Sequence, residues 1–414
     1  MINKKGFCGL VILAFLLIKC NPDSHLKCNP DSHSTNRVIN FFEKDSNMIV
    51  LPVKLDNGLI ADIVLDTGGF WGTIKLDSAY CAENHLLAWS SEPDEVLITR
   101  SSAWTPEATK RHLKKYNKPI TINICNTDLE FDAFHIFNMK YGDFPTHLDG
   151  IFLFKKDGVS HVWEINFENN YLELHSAEDF KMPKKCYLFP MVEGSRPNSL
   201  YIQFPMAIKS ADGDTLTINQ PYLIDTGLIQ DLVILQPAEE LDFFRKKEAD
   251  LLIKFYEGFQ SRYNVSAKVF DKMEIDSMQI YTLEDPKALW TKYVIGLNFL
   301  KRFNVFLDLK NQQVGLQPIK NFKRTPNHYE QQFYFSVRHT TDGRQFVEMM
   351  ADTKNNYYKE AGLKDGDEIL SVNGYDIKDM NSEVATEIRN SNTKIIDIIR
   401  DGVPIKITVH IGTR

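Results

Sequence analysis

Apolar residues along this chain fall into short alternating runs separated by polar turns, and one such arrangement occurs twice. In the first copy Ile49, Leu51, Val53 and Leu55 alternate with other residues as a strand requires, and Asp56, Asn57 and Gly58 supply a turn. A second apolar run over 59–65 leads directly into Asp66-Thr67-Gly68. Ile74 and Leu76 follow eight and ten residues after Asp66, again with the period of a strand. In the second copy the strand-like run is 202–208, and Asp212-Gly213-Asp214 reads as the turn. Tyr222-Leu223-Ile224 then leads into Asp225-Thr226-Gly227, with Val233 and Leu235 at the same two offsets.

The ends of the two units match as well. Residues 166–174 align without gaps on 308–316, and each stretch predicts a hairpin closed by a polar turn. A glycine in apolar surroundings precedes each hairpin, Gly150 in one unit and Gly296 in the other. The repeat therefore predicts two mostly β units of about 130 residues each, an ordinary domain size. Two helical insertions are expected. Leu241, Phe244, Leu252 and Phe255 approach helical spacing within 237–259, and 107–116 is a shorter, mostly charged candidate.

After a connector at 324–329, broken by Pro326, the strand pattern resumes. Residues 333–337, the turn at Asp342-Gly343 and the run from Phe346 to Met349 predict a hairpin. A helix over 382–390 and a last strand over 405–411 complete this part.

The N-terminus differs in kind. Lys4 and Lys5 precede an apolar run over 6–18, followed by Lys19 and Cys20. A membrane span needs about 20 apolar residues, so this shorter run predicts an export signal, with an uncleaved apolar anchor as the alternative. Leu17-Ile18-Lys19-Cys20 resembles a bacterial lipoprotein signal. That resemblance implies a lipid anchor on Cys20 and a periplasmic or cell-envelope location. The heptapeptide Lys-Cys-Asn-Pro-Asp-Ser-His then occurs at 19–25 and again at 27–33. Its Cys and His spacing does not fit a zinc site, so no metal is expected, and its polar composition predicts a flexible tether.

With 414 residues, 43% apolar and 25% charged, the chain has room for two or three globular domains. A formal charge of −7 provides no basic field, so nucleic acid is not an expected partner. Cys81, Cys125 and Cys186 allow at most one disulfide among them.

The chemistry lies in the duplicated Asp-Thr-Gly. Two carboxylates held about 3 Å apart cannot both ionise and therefore share a proton. The ionised one can activate a water while the protonated one hydrogen-bonds a carbonyl, without any metal or cofactor. Val64-Leu65-Asp66-Thr67-Gly68 and Leu223-Ile224-Asp225-Thr226-Gly227, with the apolar-apolar-Gly elements downstream, resemble the bilobal aspartic peptidases, pepsin-like and retropepsin-like, over roughly 46–320. The resemblance implies a mostly β, two-lobed pair of β barrels with Asp66 and Asp225 as the catalytic pair and a polypeptide substrate. It further implies that Thr67 and Thr226 bond across the interface. Gly68 and Gly227 would keep the loops tight, and Gly150 and Gly296 would line strands passing beneath them. Gly69 and Leu228 stand where that family has a small hydroxyl residue or alanine. A covering hairpin is placed over 96–104, with Trp104 at its tip or as an ordinary buried aromatic.

Ala361-Gly362-Leu363, Gly366-Asp367 and Val372-Asn373-Gly374 resemble a bacterial PDZ domain. This implies a small α+β domain that adds a peptide strand to a sheet edge and captures a peptide C-terminus near Phe333, Tyr334 and Phe335, or else a packing module. The resulting organisation is a signal over 1–19, a tether over 20–45, the first peptidase lobe over 46–180, the second over 181–322, and the PDZ domain over 323–414. The function expected is endopeptidase activity; the alternative is an inactive peptide-binding protein using the same cleft.

Overall fold

Strands carry nearly all the regular structure, as the alternating runs require. The computed structural model describes residues 37–39, 48–69, 73–86, 92–100, 110–137, 149–153, 161–196, 199–235, 239–254, 259–284, 292–320, 322, 335–339, 344–350, 352–353, 356–377, 384, 387–388 and 391–411. The export signal, Cys20, most of the tether, Trp104, Phe333 and Tyr334 lie outside these residues.

The first repeat unit begins with Val50–Leu55 and Ile60–Asp66, an antiparallel pair joined by the expected turn, where Gly58 adopts a φ of 85°. Gly150–Leu153 then inserts beside it. This strand runs parallel to Ile60–Asp66 and antiparallel to Ile74–Asp77, so it lies between the two strands that flank the Asp66 loop. The second unit repeats the insertion: Tyr293–Ile295 lies parallel to Pro221–Ile224 and antiparallel to Leu232–Leu235. The +8 and +10 residues of each unit thus lie on a strand adjacent to the inserted one, which begins at Gly150 in the first unit and is followed by Gly296 in the second.

The two predicted hairpins form as His161–Asn166 with Tyr171–Ser176 and Phe303–Asp308 with Gln313–Pro318. Their turns close alike. Asn169 N–H donates to Asn166 Oδ1 at 2.9 Å, and Asn311 N–H donates to Asp308 Oδ1 at 3.0 Å. Asn170 and Gln312 take the left-handed conformation at φ 52° and 53°.

The expected barrels do not form. The first unit is an open nine-stranded sheet running from Glu95–Arg100 at one edge to Thr127–Phe131 at the other. The second belongs to an open sixteen-stranded sheet. Closure requires the first and last strands of a sheet to bond each other. Here the two hairpins pair across the repeat instead, Val162 facing Asp308 and Ile165 facing Val305, so one sheet runs on through both units. The fold is mostly β, built from open sheets.

Both expected helices are also corrected. Lys110–Tyr116 is a strand opposite Glu95–Arg100, with Leu113 and Tyr116 buried and Lys115 paired to Glu95 at 3.6 Å. Among the described residues of 237–259 the helix is Leu241–Arg245, and Leu251–Lys254 is a strand against Phe259–Val269. In both places long-range pairing overrides a helical spacing of few turns. No helix among the described residues is long and apolar enough to cross a membrane.

One hydrophobic core runs through both units, from Ile49 to Leu316. A separate core, including Val347, Leu363, Ile369, Ile398 and Val409, supports the C-terminal six-stranded sheet. There Phe335–His339 is an edge strand, paired among the described residues only with Gln345–Met350. Arg400 clamps the buried Asp367 with two bonds of 2.7 and 2.8 Å and also donates to the Gly362 carbonyl, so the Ala-Gly-Leu and Gly-Asp segments are held together.

Candidate active site

Asp66 ends the strand Ile60–Asp66, and Asp225 follows directly on Pro221–Ile224. Between these strand ends the two threonines bond reciprocally. Thr67 N–H donates to Thr226 Oγ1 at 3.1 Å, and Thr226 N–H donates to Thr67 Oγ1 at 3.0 Å. Each hydroxyl also donates onward, Thr67 to the Ile224 carbonyl at 2.9 Å and Thr226 to the Leu65 carbonyl at 2.7 Å. Each buried hydroxyl therefore uses its donor and an acceptor lone pair in one closed lattice. The two loops are fixed against each other at their bases.

Above that lattice the Asp66 and Asp225 carboxyl groups converge, since a Cβ on Gly227 would lie within 3.2 Å of both Asp66 Cγ and Asp225 Oδ1. Gly227 N–H donates to Asp225 Oδ1 at 2.9 Å. Asp66 Oδ1 is buried without a hydrogen-bond partner among the described residues. Burial pushes the Asp225 carboxyl well above the ordinary carboxylate range and the Asp66 charge adds to this, while the Arg196 cation opposes it. Asp66 is also raised by burial, against the field of Lys75.

The four glycines share one physical reason, close approach. A Cβ on Gly68 would overlap the Asp225 carboxyl group, and one on Gly227 would stand 2.9 Å from Asp66 Cγ. A Cβ on Gly150 would overlap the Lys75 carbonyl, and one on Gly296 the Gln230 carbonyl. All eight residues predicted at the catalytic loops are thus brought into one place.

Sequence reasoning missed the groups around them. Lys75 lies between Ile74 and Leu76 and shows no pattern of its own. Arg196 sits outside both Asp-Thr-Gly loops, yet its Nη1 donates to the Gly68 carbonyl at 3.2 Å. A buried ion pair between Asp231 and Arg302 braces the second loop from below. Asp231 Oδ2 also accepts from Gln279 N–H at 2.9 Å, its carbonyl accepts from Gly296 N–H at 3.1 Å, and Arg302 Nη2 donates to the Ser277 carbonyl at 3.0 Å. No shared spacing or motif in the sequence marks these residues.

Among the described residues, Glu164, Glu173 and His175 are grouped as a metal site would be, with ligand atoms within 4.8 Å. Glu164 is already satisfied by Asn166 at 2.9 Å, Tyr171 at 2.6 Å and His175 at 2.8 Å, so a polar network accounts for the cluster without an ion. Cys81, Cys125 and Cys186 are all free thiols. No protein-family model matches the chain, nor does any curated protein.

Proposed function

We propose that this protein hydrolyses peptide bonds through a water activated by Asp66 and Asp225. The observation that carries the reading is the convergence of the two carboxyl groups beside Gly227, over the crossed Thr67 and Thr226 bonds. In this proposal burial raises both carboxyls and the pair shares one proton, so that the protonated carboxyl polarises the scissile carbonyl while the ionised one takes a proton from water. The C-terminal unit is proposed to receive an extended peptide along its edge strand Phe335–His339, where one side of the backbone has no neighbouring strand among the described residues.

Digestion of a denatured protein mixture across pH, beside Asp66→Asn and Asp225→Asn, tests the reading. Each single variant should lose nearly all turnover, and the double variant should be little worse, because groups that act as a unit give non-additive losses. The wild-type rate should fall on both sides of an optimum, since one carboxyl must ionise while the other stays protonated. If either single variant keeps a substantial fraction of wild-type turnover, the dyad is not the catalyst. If the wild type cleaves nothing while binding peptide, the cleft is a binding site.

A further inference from the structure

The segment at 194–196 stands over the strand that leads toward Asp225. Gly194 lies against the Tyr201 ring so closely that any Cβ would overlap it. Tyr201 is buried, and its hydroxyl accepts from Arg196 N–H at 3.3 Å and pairs with Ser195 Oγ at 3.3 Å. Tyr201 itself is paired to Leu223, two residues before Asp225. The backbone of Arg196 is therefore locked to the same strand pair that positions the second aspartate.

From that anchor the side chain crosses to the other unit, where Nη1 donates to the carbonyl of Gly68, a residue in van der Waals contact with the Asp225 carboxyl. Arg196 is partly exposed, and it forms no ion pair with a carboxylate of the described residues. A guanidinium carries five donors in a rigid fork suited to a carboxylate. One is spent on Gly68, which fixes the plane of the fork beside the dyad and leaves an edge for an anion. The field it places on Asp225 shows that it lies within charge-coupling reach of the reacting groups.

We propose that Arg196 is a specificity-determining residue that binds a substrate carboxylate, so that the preferred substrates are peptides with an acidic side chain flanking the scissile bond. This rests on the peptidase reading given above. A structural role alone, holding the Gly68 loop, would be indifferent to substrate charge.

The test uses paired fluorogenic peptides, identical except for Glu or Gln at the residues flanking the cleaved bond, with the full-length wild type, Arg196→Gln, Arg196→Lys and Asp66→Asn. Charge-assisted bonds of this kind predict that the wild type favours the Glu peptide by about ten- to a hundredfold in kcat/KM. Arg196→Gln should erase that preference while still cleaving the Gln peptide, and Arg196→Lys should restore part of it. Equal cleavage of both peptides by the wild type, with Asp66→Asn inactive, overturns the Arg196 assignment and leaves the peptidase reading intact. If no peptide is cleaved by any form, the peptidase reading fails instead. Fluorescence anisotropy of the same uncleaved peptides then decides the Arg196 assignment. Tighter binding of the Glu peptide that is lost in Arg196→Gln supports it, and equal binding overturns it.

Discussion

At the scale of single residues, burial of charge-bearing groups is the recurring theme, and Asp149 gives it a measurable sign. Its Oδ2 accepts from Asp62 N–H at 2.8 Å just before Gly150, the glycine under the Asp66 loop. Burial pushes its carboxyl up to about 7, against that backbone bond, and the nearby carboxylates of Asp62, Asp77 and Glu83 add to the rise. A carboxyl raised in the folded state costs nothing below the unfolded value of about 4, where both states are protonated. Between about pH 4 and the folded value near 7 the unfolded chain ionises first, so stability falls as pH rises and then levels off. Asp149→Asn keeps an acceptor for Asp62 and removes the titration. Urea unfolding should find it more stable than wild type at pH 8 by about 2–4 kcal/mol, and no more stable at pH 4. An equal gain at both values would show that the effect is not ionisation.

At the scale of elements, the crossed strands of the second unit depend on the Asp231–Arg302 pair. It links the start of Leu232–Leu235, the strand Met273–Glu284 and the short helix Leu297–Leu300, whose N-cap is Gly296. Both side chains are almost fully buried, at 0% and 3% exposure, so either one left alone would be an uncompensated charge. Arg302→Met should therefore cost about 3–5 kcal/mol in urea unfolding, and Asp231→Asn added to it should recover part of that loss. A double variant as unstable as the single would mean that packing, rather than charge, explains the cost.

At the scale of the whole molecule, the two largest hydrophobic clusters among the described residues are of unequal kind. The larger is shared by both repeat units, and the smaller lies wholly within 347–409. Among the described residues a short strand pairing, Leu251 with Thr353 and Leu252 with Asp352, links these regions. Trp163 is buried in the larger core and no tryptophan follows residue 290, so a tryptophan signal carries no probe within the smaller core. Ile398 is fully buried in the smaller one. Ile398→Ala should remove about 2–5 kcal/mol there, lowering one calorimetric transition while the tryptophan-detected midpoint stays unchanged. A matching fall in both signals would show that the two cores unfold as one.

Much of the candidate site was legible in the sequence because its constraints are local. Asp-Thr-Gly must follow a buried strand, and glycine must stand wherever another backbone or carboxyl group passes within a Cβ radius. The repeat therefore marked Asp66, Asp225, their threonines and all four glycines, together with the two polar-turned hairpins. What the tertiary structure alone decided depends on contacts between distant segments. Lys110–Tyr116 and Leu251–Lys254 became strands where segments such as Phe134–Phe137 and Asp352–Thr353 also offered an edge. The sheets stayed open because Val162 and Ile165 found Asp308 and Val305, where closure would have needed the ends of one sheet to meet. Arg196 reached the dyad only through a bond spanning 128 positions of the chain, a separation that no periodicity or motif encodes. Side-chain alternation and turn chemistry act over a few residues and can be read along the chain. Strand partnership and long-range charge placement are settled only when the whole core is packed.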